Sequence, residues 1–234
     1  MKKILAIDSR MPVEMIKKIS SLGYKTFAVY PNAVLDDAVS AHPDMNFLQI
    51  CDKTYALSGT NVRFSDFEIC NICKNKKLSY PYDVLMNAAV IGNDLICRLS
   101  SIYISALDYA KGKSVNIINV NQGYAKCNIV PVCEKNKAVI TEDEGIAKKL
   151  RVSGYDVLLL KNKCVRLAPY KYGFIGGASG VIDDIVMFTG NVKIHPEYRQ
   201  IYDFCNKYNK TVISLSEDVL YDYGSILPLT VPDN

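Results

Sequence analysis

Residues 124–160 read YAKCNIVPVCEKNKAVITEDEGIAKKLRVSGYDVLLL, and this stretch contains the unit from which the chain is built. Its apolar runs predict two strands, at 127–132 and 138–140. The segment Thr141-Glu-Asp-Glu144 has the spacing of a capping box and predicts the start of a helix. A buried strand at 157–160 follows, so the unit is strand, strand, helix, strand.

The same unit recurs along the chain with a period of roughly 40–50 residues, the range of solenoids and propellers. A second helix of this kind is predicted at 65–76, and a third from Ser100 or Ser101 to Ala110. Closing such units into a ring would direct all the opening strands at one axis. The segments that open the units begin at His42, Asn87, Tyr124, Phe174 and Tyr221.

The two ends of the chain are each half a unit. A strand at 4–7, a helix and a return strand at 26–30 lack an opening strand pair, whereas the predicted strand pair at 224–231 lacks a helix. Together they would complete a fifth unit and close the ring. We therefore expect residues 1–234 to form one domain.

Composition excludes several classes of function. The 234 residues are 49% apolar and 22% charged, and the net charge of +4 arises from 28 basic and 24 acidic residues spread along the chain. The one dense basic cluster, at 74–77, is typical of a solvated helix end, so nucleic-acid binding is not expected. No stretch is long and apolar enough to span a membrane, and charged residues interrupt any signal-peptide core after residues 1–8. These features predict a cytoplasmic protein, whose oligomeric state the sequence leaves open.

The eight cysteines are irregularly spaced, and most lie inside apolar patterns. In a cytoplasmic chain this favours small buried side chains over a disulfide framework. Cys70 and Cys73 form a CxxC within the predicted helix at 65–76, but no second CxxC supplies further zinc ligands. Core packing is therefore favoured over a metal or redox role, and no metal or organic cofactor is expected.

Two segments connect this pattern with a known superfamily. The first is His42-Pro-Asp44-Met-Asn-Phe47, and the second is Lys126-Cys127-Asn-Ile-Val-Pro131. With the five ββαβ units, they resemble the pentein fold, an α/β propeller with pseudo-fivefold symmetry. Its guanidino-group-modifying enzymes include arginine and agmatine deiminases, dimethylarginine hydrolases and amidinotransferases. The resemblance implies that Cys127 is the nucleophile, His42 the acid/base and Asp44 an anchor for the substrate guanidinium.

The chain departs from the enzyme pattern at several positions. The enzymes carry the cysteine in the C-terminal unit, where this chain has Gly224, and Cys127 lies in the third unit instead. Their Glu-Gly-Gly-Asp segment is represented here only by Gly176 and Gly177. The pattern is also similar to an uncharacterised bacterial family that shares this fold, and in that superfamily a ribosome-associated translation factor is not catalytic.

The residues themselves leave alternatives open. Cys127 is either a nucleophile activated by the neighbouring Lys126 or a small side chain packed at the axis, since adjacent strand residues point to opposite faces. His42 is a candidate acid/base in front of a strand. The other histidine, His195, precedes Pro196 and an acidic residue, which is typical of a helix start.

Further polar residues occupy the inward ends of the opening strands and are candidates for substrate binding. Gly176 and Gly177 either form a backbone nest for an anion or relieve crowding at the axis. Asp8-Ser-Arg10 ends the first strand and forms either part of a site or a local ion pair. The candidate substrate-binding residues are Asn87, Lys126, Asp222, Ser225, Gly176 and Gly177.

The sequence therefore predicts a hydrolase or transferase that modifies a guanidino or amidino group of a small molecule. Covalent catalysis at a guanidinium carbon needs a reactive thiolate, a proton shuttle and carboxylates that hold the planar cation. The alternative is a non-catalytic ring that binds a small molecule or a protein partner. A third hypothesis is a structural ring without a ligand, whose axis is filled by apolar side chains.

Overall fold

A computed structural model describes residues 2–62, 64, 66–71 and 77–232 and contains five three-stranded sheets, in four of which a helix connects the middle strand to the third. The strands are β1 (Lys2–Asp8), β2 (Thr26–Val29), β3 (Phe47–Ile50), β4 (Lys53–Leu57), β5 (Glu68–Cys70), β6 (Ala89–Ile91), β7 (Asp94–Cys97), β8 (Asn116–Asn119), β9 (Ile129–Cys133), β10 (Ala138–Thr141), β11 (Asp156–Leu159), β12 (Ser179–Ile182), β13 (Ile185–Phe188), β14 (Thr211–Ser214) and β15 (Leu227–Val231). The helices are α1 (Val13–Ser21), α2 (Pro43–Asn46), α3 (Ile104–Gly112), α4 (Glu144–Val152) and α5 (Tyr198–Lys207).

Every sheet has the same pairing pattern. An opening strand runs antiparallel to the middle strand, and the middle strand runs parallel to the third. In the sheet of residues 129–159, Ala138 of β10 pairs with Cys133 of β9, and Val139 pairs in parallel with Val157 of β11. The parallel pair requires a crossover, which α4 provides.

The chain ends meet in the fifth sheet. Leu5 of β1 pairs antiparallel with Pro228 of β15, and Ala6 of β1 pairs in parallel with Phe27 of β2. The two chain ends thus complete a fifth unit together, as the sequence predicts. The C-terminal contribution is the single strand β15, however, and not a strand pair over 224–231.

The helix predicted at 65–76 is wrong where the structure describes it. Residues Glu68–Cys70 form β5, in which Ile69 pairs in parallel with Ala56 of β4. Strand pairing and the burial of Cys70 outweigh the helical spacing of the apolar residues. Residues 65 and 72–76, which include Cys73 and most of the basic cluster, lie outside the described residues.

Several element starts also differ from the prediction. Helix α4 is capped by Asp143, whose Oδ1 accepts from the N–H of Ile146 at 2.8 Å, and not by a capping box. Thr141 instead ends β10, because its backbone continues the ladder with Leu159. Helix α3 begins at Ile104, beyond the serines that were expected to cap it.

The segments that open the units begin with a turn, and their strands start a few residues later. Pro43 begins the one-turn helix α2, so His42 precedes a helical turn and not a strand. Cys127 likewise lies in a turn, two residues before β9 begins. These turns carry the polar residues of the candidate site.

Apolar side chains from neighbouring sheets share cores. The predicted inward face of α4, which consists of Ile146, Ala147 and Leu150, is fully buried. It packs in one cluster with Ile96 of the preceding sheet and Val139 of its own sheet. Helix α4 therefore joins two successive units. Within the described part of the chain, the helices are all too short or too polar to cross a bilayer.

Candidate functional site

Five polar side chains from four opening turns meet in a buried group, called here the thiol cluster. Asp44 comes from α2, whereas the others come from the turns that lead into β6, β9 and β15. None is more than 9% exposed. The sequence predicts that these turns meet at one place, and the structure brings together Asp44, Asn87, Lys126, Cys127 and Ser225.

The thiol of Cys127 has two polar partners. Its Sγ lies 3.2 Å from Oδ2 of Asp44, to which the thiol donates, and 3.0 Å from Nδ2 of Asn87, which donates to the sulfur. Oδ1 of Asn87 accepts from the backbone N–H of Lys126 at 2.9 Å and from that of Cys127 at 3.3 Å. Asn87 therefore fixes both the thiol and the turn that carries it.

Lys126 is joined to Asp44 through a hydroxyl. Its Nζ donates to Oγ of Ser225 at 2.8 Å, and that Oγ lies 2.8 Å from Oδ2 of Asp44 and 2.9 Å from the carbonyl oxygen of Gly176. Gly176 has no room for a side chain, because a Cβ there would lie 2.6 Å from the carbonyl oxygen of Cys127. This contact supports the crowding explanation for Gly176.

The cluster holds the thiol in its neutral form. Burial, and then the negative charges of Asp44 and Asp222, raise the pKa of Cys127 well above its usual value. Burial also raises the pKa of the Asp44 carboxyl and lowers the pKa of the Lys126 ammonium. With Cys127 only 3% exposed, this closed arrangement does not present a thiolate to solvent at neutral pH.

His42 lies beside the thiol cluster, between two carboxylates. Its Nε2 is 4.0 Å from Oδ2 of Asp8, and its Nδ1 is 3.8 Å from Oδ1 of Asp222. Burial, together with the positive charge of Arg10, lowers the pKa of His42 to about 3, so the imidazole is neutral at pH 7. The buried Nδ1 has no hydrogen-bond partner, and within the described ranges no hydrogen bond joins His42 to Cys127.

Asp8 and Arg10 form the local ion pair that the sequence offers as one alternative. Nη2 of Arg10 lies 2.6 Å from Oδ2 of Asp8, and Nε lies 2.9 Å from Oδ1. The same guanidinium donates to the carbonyl oxygens of Asp37 and Ala38. Asp8 nevertheless also faces His42. The sequence places Asp8 at the end of a strand, where sites often form, but does not predict this contact.

Asp222 accepts backbone hydrogen bonds from Phe174 and Gly224, both at 2.9 Å. Burial, and then the charge of Asp44, raise its pKa to about 7. A Cβ on Gly177 would lie 2.5 Å from Oδ2 of Asp222. The N–H of Gly177 donates to the carbonyl oxygen of Cys127, so this amide is already bonded.

Gly224 is the residue that the sequence resemblance aligns with the cysteine of the guanidino-modifying enzymes, an alignment that stays a prediction. Its φ is +66°, and a Cβ there would lie 2.5 Å from Cα of His42. His42 thus fills the space that a side chain at position 224 would need. A glycine at this position is consistent with the packing of His42 across the segment.

The remaining candidates lie elsewhere. His195 follows a short 3-10 turn, and its Nδ1 accepts from the N–H of Glu197 at 3.1 Å. Helix α5 begins after these residues, at Tyr198, and Glu197 accepts from two backbone amides of the loop that follows β11. The seven cysteines that the structure describes are free, and no three His, Cys, Asp or Glu side chains of the described residues are grouped as metal ligands.

Solved structures with similar folds include two kinds of guanidino-modifying enzyme. SxtG, an amidinotransferase from Microseira wollei in saxitoxin biosynthesis, superposes with a TM-score of 0.56 at 12% identity, covering 87% of this chain and 76% of its own. A cysteine-to-serine mutant of DDAH from Pseudomonas aeruginosa, in complex with citrulline, gives a TM-score of 0.54 at 6% identity, covering 92% and 91%. A dimethylarginine dimethylaminohydrolase adduct with 4-chloro-2-hydroxymethylpyridine gives 0.50 at 8% identity, with the same coverage. The resemblance to the pentein superfamily is thereby confirmed at the level of the fold.

Comparison with curated proteins finds no match. One family does match, over residues 6–227, which is nearly the whole chain, and its description is "Family of unknown function (DUF6873)". Its span includes all five opening segments and every residue of the thiol cluster. The chain belongs to the family of unknown function DUF6873.

Proposed function

We propose that this protein modifies a small guanidino or amidino compound, with Cys127 as the nucleophile and Asp44 as the anchor for the cation. The observation that carries the proposal is the position of the Asp44 carboxylate. Its Oδ2 lies 3.2 Å from the thiol, whereas its buried Oδ1 has no hydrogen-bond partner. A planar cation that bonds to this carboxylate would bring its central carbon next to the sulfur.

The buried charges favour a cationic ligand. Asp8, Asp44 and Asp222 are each at most 1% exposed, and the cations near them are Arg10, which is paired with Asp8, and Lys126. A buried carboxylate without a paired cation is costly, and Asp222 responds with a pKa raised to about 7. A guanidinium or amidinium would relieve this excess of negative charge. The names of the amidinotransferase and of the dimethylarginine dimethylaminohydrolase are consistent with such a ligand.

The reaction would begin with deprotonation of the thiol. A bound cation lowers the pKa of Cys127, and Asp44, whose own pKa is raised by burial, accepts the thiol proton. The sulfur then bonds to the central carbon, the carbon–nitrogen bond breaks, and the amine leaves with that proton. To release the product, a water or amine attacks the central carbon and gives a proton to neutral His42, the carbon–sulfur bond breaks, and that proton returns to the sulfur. No step uses a metal or organic cofactor.

The architecture that we propose for this site is a closed ring of five sheets in one domain, with pseudo-fivefold symmetry. Two observations support it: β15 pairs with β1, which joins the chain ends, and the opening strands of all five sheets line one cavity. The substrate-binding roles of Asn87, Asp222 and Ser225 follow from their place around the axis of that ring.

The second candidate function is binding without catalysis. It is favoured by one specific observation, the burial of Cys127 to 3% exposure with a pKa well above its usual value. In that case the same carboxylates would hold a cationic ligand while the thiol stays protonated.

Trapping of a covalent intermediate distinguishes the two functions. The protein is mixed with arginine, agmatine, dimethylarginine or guanidinoacetate, quenched in acid and measured by intact mass spectrometry and peptide mapping. We expect an amidino adduct on Cys127 that is absent in Cys127→Ser and retained in Cys205→Ser, which removes another buried free cysteine. Ligand binding without any adduct, equal in wild type and Cys127→Ser, would establish the non-catalytic function instead.

A further inference from the structure

One residue of the thiol cluster, Lys126, also lines a concave region of the molecule. This region is a cavity of about 580 Å³ between the opening strands of the five sheets, a volume in the range of small-molecule sites. In each opening strand a residue that lines the cavity is only partly buried, so the five strands face the same space. These residues are Gln49, Val90, Pro131, Val181 and Pro228.

The walls combine apolar and polar surface, and the apolar part is slightly the larger. Four of the five partly buried residues carry hydrocarbon side chains, and Leu48 and Leu229 add further apolar surface. Water inside such walls makes few hydrogen bonds, so an apolar ligand body that displaces it gains free energy. The cavity therefore suits a ligand with a hydrocarbon portion.

Some of the charges that line the cavity are paired, whereas Glu134 and Lys135, both exposed, form no ion pair within the described residues. Lys3 lies 3.4 Å from Oδ1 of Asp183, and Lys210 lies 3.0 Å from Oδ1 of Asp184 and also donates to the carbonyl oxygen of Asp183. These exposed pairs contribute little binding energy of their own.

Among the residues that line the cavity, Lys126 differs, because it carries a buried ammonium with a single recorded hydrogen bond. Lys126 belongs both to the thiol cluster and to the cavity wall. An ammonium has three N–H donors, and the acceptor that the structure records is Oγ of Ser225. No carboxylate oxygen of the described residues lies within 4.0 Å of Nζ.

We propose that this cavity binds an amphipathic monoanion, with its apolar body against Val90, Pro131 and Val181 and its carboxylate, sulfonate or phosphate group directed at Lys126. The ligand differs in charge from the cation proposed for the thiol cluster. Of the cluster, only Lys126 lines the cavity, so the two ligands would share no other residue of the cluster. The site does not depend on whether Cys127 is catalytic.

Fluorescence titration tests the site without any enzymatic assay. The probe is 8-anilinonaphthalene-1-sulfonate, and its control is N-phenyl-1-naphthylamine, which has the same rings without the anion. We expect the sulfonate to bind with 1:1 stoichiometry and at least tenfold more tightly than the neutral amine. Cooperative unfolding of the same protein sample shows that the probe binds the folded state. Equal affinities, or no binding of the sulfonate, would overturn the proposal.

Variants locate the probe. Val181→Trp fills the cavity and should weaken sulfonate binding at least tenfold, whereas Val13→Trp adds the same ring at a position 58% exposed on α1 and should have no effect. Val90→Trp replaces Val181→Trp if the latter does not fold. Lys126→Met should abolish the preference for the anion but retain the neutral amine. Undiminished sulfonate binding in the folded cavity-filling variant, Val181→Trp or its replacement Val90→Trp, would refute the assignment, as would a preference for the anion that survives Lys126→Met.

Discussion

Replacement of Gly224 by alanine tests how His42 is held in the candidate site. Gly224 has a φ of +66°, and a Cβ added there would lie 2.5 Å from Cα of His42. The neighbouring atom is backbone, so no rotation of a flexible side chain relieves the overlap. Either the turn that carries His42 or the segment that precedes β15 must move.

The expected loss of stability has two parts. An alanine at positive φ costs about 1 kcal/mol relative to glycine. Movement of the segment would weaken two buried hydrogen bonds, from the N–H of Asp44 to the carbonyl oxygen of Gly224 at 3.1 Å and from the N–H of Gly224 to Asp222 at 2.9 Å. At about 1.5 kcal/mol for each bond, the free energy of unfolding should fall by about 4 kcal/mol in total.

Gly154→Ala is the matched control, because Gly154 has a φ of +83° but nothing lies within 4 Å of a Cβ there. Only the conformational cost of about 1 kcal/mol applies to it. Urea denaturation followed by circular dichroism measures both variants, and the corresponding fall in Tm is about 12 °C for Gly224→Ala against about 3 °C for the control. Equal losses in the two variants would refute the packing of His42 against Gly224.

Three further predictions concern the buried polar groups. Ser225→Ala removes the described acceptor of the Lys126 ammonium and a donor to Asp44, so urea denaturation should give a free energy of unfolding lower by about 3 kcal/mol; a loss below about 0.5 kcal/mol would contradict the bridge. The raised pKa of Asp222, about 7, means that its contribution to stability is fully present below about pH 4 and is lost as the pH rises through 7. Asp222→Asn should therefore gain stability relative to wild type between pH 5 and pH 8, and a constant difference over that range would show that Asp222 does not titrate there. The hydrogen bond from Asn87 lowers the pKa of the Cys127 thiol, so Asn87→Ala should move the midpoint of iodoacetamide alkylation at that cysteine, followed by peptide mapping, to higher pH; an unchanged or lower midpoint would contradict this.

Local patterns in the sequence predict much of the fold. Alternating apolar residues and the apolar face of α4 are sufficient to recover the repeated unit, because both periodicities record which face of an element is buried. The prediction that the two chain ends share a sheet is also confirmed, by the pairing of β1 with β15. The failures occur where local signals conflict with pairing, as at Glu68–Cys70, which is a strand despite its helical spacing.

The candidate site is less predictable from sequence. The opening segments indicate that Asp44, Asn87, Lys126, Cys127 and Ser225 approach one place, and the structure brings them within hydrogen-bond distance of one another. Sequence spacing does not predict which of them touch. Cys127 forms a hydrogen bond with Asp44 but not with His42. Which of these hydrogen bonds forms depends on where turns from different units meet.

The sequence by itself determined the repeated unit and the kinds of chemical group that each opening turn carries, since period, apolar spacing and residue type are properties of short segments. The tertiary structure alone decided the burial of Cys127, the raised pKa of its thiol, the position of His42 between Asp8 and Asp222, and the cavity that Lys126 lines. The physical reason is that desolvation and charge–charge interactions depend on distances between atoms that are up to about two hundred residues apart in the chain, as the contact between His42 and Gly224 illustrates.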